Sequence, residues 1–199
     1  METTTTTFGI HPLTPDRWDD LEALFGPRGA YGGCWCMFWR VSRAQFGEQC
    51  AHDGAGNKAA FREVVMRSDV PGLLVYADGK PVGWCAVAPR EVYAALERST
   101  TRKRIDDRPV WSITCFYVAR GWWKRGVSSA LVHVAIEHVR SQGGMMLEAY
   151  PTLNEPGMKP PSNSAAYMGL SEVFRAAGFV EVARPSNTRC VTMRYAIER

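Results

Sequence analysis

Between Val118 and Val132 the chain reads VARGWWKRGVSSALV. Apolar residues that suit a strand end give way to two tryptophans, the basic pair Lys124 and Arg125, a lone Gly126, two serines and an amphipathic run. A strand that passes through a tight basic turn into a helix leaves several backbone N–H groups unpaired at the positive end of that helix, where phosphate is favoured. Gly126 lets the main chain approach a ligand, Ser128 and Ser129 keep the first turn uncluttered, and Lys124 and Arg125 add attraction. Trp123, Lys124, Arg125, Gly126, Val127, Ser128 and Ser129 are therefore the candidate anion-binding residues. The spacing is neither that of a Walker loop nor that of the three-glycine dinucleotide fingerprint.

Other constellations are weaker. Cys34, Cys36, Cys50 and His52 supply four metal-ligand types, but a C-x-C pair with a C-x-H pair is not the usual C-x₂-C spacing, so no metal site is expected. Tyr31, Trp35, Phe38 and Trp39 lie in one aromatic stretch that either packs over a sheet or walls a substrate pocket, with Tyr31 and Trp35 as the substrate-contact candidates. Arg98, Arg102, Lys103, Arg104 and Arg108 form a basic run interrupted by Asp106 and Asp107, which suits a solvated loop, a nucleotide's 3′-phosphate or RNA. His133 and His138 fall on a helical stretch and are given no role.

These residues need a scaffold, and the pattern supplies an α/β one. Residues 7–13 suit a first strand, and TPDRWDDLEALFG a helix with Thr14 as N-cap and Pro15 in its first turn. Asn57 is placed to cap a second helix that buries Phe61, Val64 and Val65. GLLVYADGKPVGWCAVAP is a hairpin about Asp78 and Gly79. PVWSITCFYVA is a long strand, residues 124–144 a helix closed by Gly143 and Gly144, and MMLEAY the next strand. Together residues 109–150 form a strand, helix, strand crossover of the right-handed parallel kind. A proline-rich loop (151–163), a helix over SAAYMGLSEVFRAAGF and two closing strands complete a single domain, residues 1–199.

Composition fits that frame. The chain has 199 residues, enough for one substantial core. Apolar residues make up 46% and charged ones 22%, as in globular proteins. A net charge of +4, spread along the chain, suits a small anionic ligand and disfavours nucleic acid as a partner. No apolar run approaches the roughly 20 residues needed to cross a bilayer. The start, METTTTTFGI, lacks the features of a secretory signal, so a cytoplasmic location is expected. The six cysteines are expected to be reduced, with Cys85 and Cys115 inside apolar strands.

The turn at 118–128, taken with the element order, resembles the GNAT superfamily of N-acetyltransferases. That signature, Val-x-x-x-x-(Arg/Gln)-x-x-Gly-x-(Gly/Ala), runs from the fourth strand into the third helix. Here it reads Val118, Trp123, Gly126, Ser128, with Trp123 and Ser128 departing from it. LEAY is similar to the fifth strand, and EVFRAAGF to the helix that ends in Gly-Phe beside the cofactor's thiol end.

The resemblance implies a mixed sheet of about seven strands with helices on both faces, splayed between strands 4 and 5. It implies acetyl-CoA as co-substrate and no metal, with the pyrophosphate on the turn and the pantetheine arm in the splay, bonded to the backbone at Phe116 and Val118. The acetyl group would pass directly to a primary amine of a small molecule or peptide in a ternary complex. The usual acid and base positions are occupied by Phe174 and Ser112, so Glu148 and Tyr150, two apart on one strand face near the splay, are the candidate proton-handling residues. A CoA-binding sensor or interaction module without turnover, and a transferase of another acyl group, are the alternatives. Dimerisation, the amine and the acyl preference are left open.

Overall fold

The computed structural model describes residues 7–67, 69–162, 164–186 and 188–198. Residues 1–6, within the stretch inspected above for a leader, lie outside them. Seven strands form one sheet: β1 (Gly9–Pro12), β2 (Gly72–Ala77), β3 (Lys80–Pro89), β4 (Trp111–Val118), β5 (Met146–Ala149), β6 (Val180–Ala183) and β7 (Thr192–Ala196). Their order is β1-β2-β3-β4-β5-β7-β6, and every neighbouring pair is antiparallel except β4 and β5. The α-helices are α1 (Trp18–Phe25), α2 (Arg43–Gln49), α3 (Ala51–Met66), α4 (Ala94–Glu97), α5 (Val127–Ser141) and α6 (Ser171–Ala176). This is the expected GNAT-like mixed sheet.

Strand alternation sends successive side chains to two cores. Leu73, Cys85 and Ile113 join Leu131, Ala135 and Val139 of α5 and Phe174 of α6 on one face. Leu74, Trp84 and Ala86 join Trp18 and Leu21 of α1 and Phe61 and Val65 of α3 on the other. The β2–β3 hairpin turns at Asp78 and Gly79, both at positive φ, as its sequence requires. The parallel β4–α5–β5 crossover is also as expected.

Three local readings differ. The polar, Gly-containing stretch after CWCMFWR has the composition of a loop but is helical, because Ser42 Oγ accepts the Gln45 N–H and starts α2. Asn57 caps nothing: it is buried inside α3, donating to the Gly33 carbonyl at 2.9 Å and Cys50 Sγ at 3.3 Å, and ties the aromatic segment to that helix. The last helix begins only at Ser171, since the residues before it are drawn into the sheet, where the Thr152 N–H donates to the Gly169 carbonyl. Gly169 sits at φ +89, and a Cβ there would meet Phe174 at 2.7 Å and Phe116 at 3.2 Å. Gly169→Ala is expected to lower the unfolding free energy by about 2–4 kcal/mol, combining left-handed strain with overpacking, measured as a lower denaturant midpoint.

Candidate functional site

The candidate anion turn is built as one continuous surface. After β4, the Trp122 N–H bonds to the Ala119 carbonyl at 2.8 Å, and the next firm backbone bond is from the Ala130 N–H to the Gly126 carbonyl at 2.9 Å. Among the described residues, the N–H groups of Lys124 to Ser129 have no backbone acceptor. Gly126 is the N-cap residue of α5 at φ 80 and makes no side-chain cap bond. A Cβ at Gly126 would meet nothing within 4 Å, so the approach is open. Lys124 is also left-handed, at φ 59, a conformation that costs a non-glycine residue about 1 kcal/mol and gathers at functional turns. Six consecutive free amides thus lie at the positive end of a 15-residue helix, the arrangement in which backbone donors and helix dipole favour an anion.

Side chains around it are turned aside. The Trp123 indole donates to the Val118 carbonyl at 2.7 Å, and the Arg125 guanidinium lies 5.1 Å from the Trp122 ring centroid. Val127 is buried and anchors the first turn of α5 in the core, while Ser128 and Ser129 are half-buried.

β4 and β5 pair only where Trp111–Ile113 faces Leu147–Ala149, and β4 runs on to Val118 without β5 beside it. That is the expected splay. The segment before α6 crosses it: the Phe116 N–H donates to the Tyr167 carbonyl at 2.6 Å, and the Ser171 N–H to the Thr152 carbonyl at 3.0 Å. The Phe116 amide and the Val118 carbonyl, both expected to meet the pantetheine arm, thus already have partners, and an arm along β4 must compete with those bonds. Phe174 is buried edge-on to Phe116 and carries no hydroxyl.

At the closed end of the splay lies a buried ionic network. Glu148, Tyr150 and Arg90 are 0% exposed. Glu148 accepts from Arg90 Nη1 at 2.5 Å, from Tyr150 Oη at 2.6 Å and from Arg194 Nε at 2.7 Å. Arg90 also reaches Glu97 at 2.6 Å, and Arg194 reaches Asp106 at 2.7 Å. Ser112 Oγ is 2.9 Å from Tyr150 Oη. Burial, and then the Glu148 carboxylate, push the Tyr150 phenol well above its ordinary value. Glu148 and Tyr150 therefore do share one face near the splay, but inside an arginine cage rather than at an open pocket. Sequence reasoning missed both arginines. The one available signal was register: Arg194 stands directly opposite Glu148 on β7, which becomes visible only once that pairing is known.

The aromatic stretch divides. Trp35 is 1% exposed and stacks on Trp18 with ring centroids 6.1 Å apart, deep on the α1/α3 side, while Tyr31 is 74% exposed at the surface. Phe38 and Trp39 are the residues that reach the splay. Trp39 packs with Tyr93, Tyr150 and Met168, and Phe38 lies edge-on to Tyr167. All six cysteines are free. The neighbouring Cys36 thiol and burial hold the Cys115 thiol well above its ordinary value, so it is no ready nucleophile. Among the described residues no group of three or more His, Cys, Asp or Glu has metal-holding geometry, and no helix is long and apolar enough to cross a membrane.

This fold recurs in solved acetyltransferases. PaiA N-acetyltransferase from Thermoplasma acidophilum, in complex with coenzyme A, superposes with a TM-score of 0.52 at 13% identity, over 96% of this chain and 99% of that one. A histone acetyltransferase HPA2-related protein from Corynebacterium glutamicum gives 0.55 at 16% identity, over 97% and 98%. A GNAT-family acetyltransferase from Streptococcus agalactiae gives 0.55 at 12% identity, over 96% of each chain. At such identities the likeness shows the fold alone. No curated protein matches in sequence. The model of the acetyltransferase (GNAT) family matches residues 35–159, more than half of the chain, and the chain belongs to that family. In general terms it is an acyl-CoA-dependent acetyltransferase.

Proposed function

We propose that this chain transfers an acetyl group from acetyl-CoA to a primary amine, by direct attack within a ternary complex. One observation carries the cofactor half of this: the run of unpaired amides from Lys124 to Ser129, open at Gly126 and flanked by Lys124 and Arg125. These donors and charges fit a pyrophosphate. Acetyl-CoA supplies the thioester carbonyl that the amine attacks. The β3–β4 register slips so that Thr114 has no strand partner, at the vertex of the splay just past the last β4–β5 pair.

Glu148 and Tyr150 act on this reaction by position. The Glu148 oxygens are already engaged by Arg90, Tyr150 and Arg194, and a phenol with a raised pKa is a poor acid for a thiolate of ordinary pKa about 8.5. They hold the closed end of the splay so that β4 and β5 part at a fixed point. Tyr150→Phe is accordingly expected to keep kcat/KM within about tenfold, with both limbs of the pH profile in place. A loss beyond about a thousandfold, with one limb missing, would make Tyr150 a proton donor instead.

The engaged Phe116 amide and the absence of a hydroxyl at Phe174 favour one alternative, a CoA-binding module that turns nothing over. Thiol release from acetyl-CoA across a panel of amines separates the two. Release above background supports transfer. Background rates throughout, while CoA raises the melting temperature, support the binding module.

A further inference from the structure

Between the start of α2 and the β3–β4 connection lies a cavity of about 310 Å³, lined among others by Trp39, Ser42, Arg43, Arg98, Thr101 and Arg102 and by no carboxylate. Three guanidiniums converge there. Arg102 lies 5.0 Å from the Trp39 ring centroid, donates to Thr101 Oγ1 at 3.2 Å and to Cys190 Sγ at 3.4 Å, and leaves its Nε buried with no partner. Arg43 rests 4.2 Å from the Phe38 ring centroid. Among the described residues, none of the three stands within salt-bridge distance of an acid. Their neighbours in the same connection do: Arg104 pairs with Glu91 and Glu97, and Arg108 with Asp106. The basic run of the sequence is thus sorted into arginines neutralised within the fold and arginines left charged around a hollow.

An unpaired, partly enclosed guanidinium is a costly arrangement unless an anion completes it. That anion is not the cofactor's. The connection bearing Arg98 and Arg102 enters β4 at Trp111, whereas the phosphate turn leaves β4 beyond Val118, about 23 Å away at the rise of an extended strand. Trp39, which forms the cavity's aromatic floor, also packs against Tyr150 and Met168 at the splay. The cavity and the reacting end of the splay are therefore one indole apart.

We propose that the arginine cavity holds an oxyanion, carboxylate or phosphate, carried by the acceptor, so that the substrates are short amines with an acidic group at the far end. This rests on the acetyl-transfer reading, and it makes a prediction of its own. In matched pairs, O-phosphoethanolamine against ethanolamine and 4-aminobutyrate against butylamine, the acidic member should be favoured by at least about tenfold in kcat/KM, through a lower KM. Arg102→Gln, or the exposed Arg98→Gln where folding is not at risk, should shrink that ratio by about 10–100-fold. The phosphate and carboxylate pairs separate the two sources of charge. Independently, inorganic phosphate or acetate titrated at constant ionic strength should quench indole fluorescence saturably in the unaltered protein and not in Arg102→Gln. Equal use of acidic and neutral amines, a preference that survives both substitutions, or an absence of saturable quenching overturns the proposal. If coenzyme A does not bind at all, the acetyl-transfer reading fails, and the phosphate and acetate titrations still decide the cavity.

Discussion

Glu148→Gln is expected to lower the unfolding free energy by about 3–5 kcal/mol, the usual consequence of removing one member of a buried ion group. Arg90 and Arg194, 0% and 4% exposed, then keep their charges with half of their partners. Calorimetric unfolding should show a fall of roughly 6–20 °C in Tm for a chain of this size. A shift under about 2 °C would mean that the arginines reach water or other acids, and that Glu148 does not hold the vertex. The acids at the rim of the same network set its pH range. Arg108 first, then Arg194, hold the Asp106 carboxyl well below the usual carboxylate range. For Glu97, burial is outweighed by the bonds from Arg104 and Arg90, so its pKa also falls. In both, the folded pKa lies below the unfolded one, so the unfolded chain takes up protons first as pH drops. Their stabilisation is present above about pH 4.5 and is lost as pH falls through the folded values, so Tm should decline on the acid side.

Ser128→Asp is expected to separate stability from function. A carboxylate in the first turn of α5 complements the helix dipole and occupies free N–H groups, adding about 0.3–1 kcal/mol to stability. The same carboxylate takes the donors proposed for the pyrophosphate and would repel it, so affinity for coenzyme A should fall by about 100-fold or more. A tighter fold with weaker cofactor binding cannot be produced by damage to the protein. If the variant binds coenzyme A as well as the unaltered chain does, the cradle lies elsewhere.

The parts of the molecule legible in the sequence are those whose physics is local. The hairpin at Asp78–Gly79 and the glycine turn into α5 each rest on residues within a few positions of one another, and the β4–α5–β5 crossover joins elements consecutive in the chain. What escaped notice depends on distant partners. Glu148 looks like a free strand carboxylate until Arg90, 58 residues away, and Arg194, 46 away, are folded against it. Trp35 looks like a pocket wall until Trp18 and Phe25 close over it. Residues 164–170 carry helical composition, yet Gly169 and the sheet amides of Phe116 and Thr152 draw them into the splay. Asn57 sits at a plausible cap position but is claimed by Gly33, 24 residues earlier.

Isothermal titration of coenzyme A into the folded protein tests the central claim most directly. The expected result is saturable heat with one site per chain, weakening as salt rises and lost in Ser128→Asp. No heat up to about 1 mM ligand, the upper end of ordinary enzyme affinities, with the protein still folded, would contradict it.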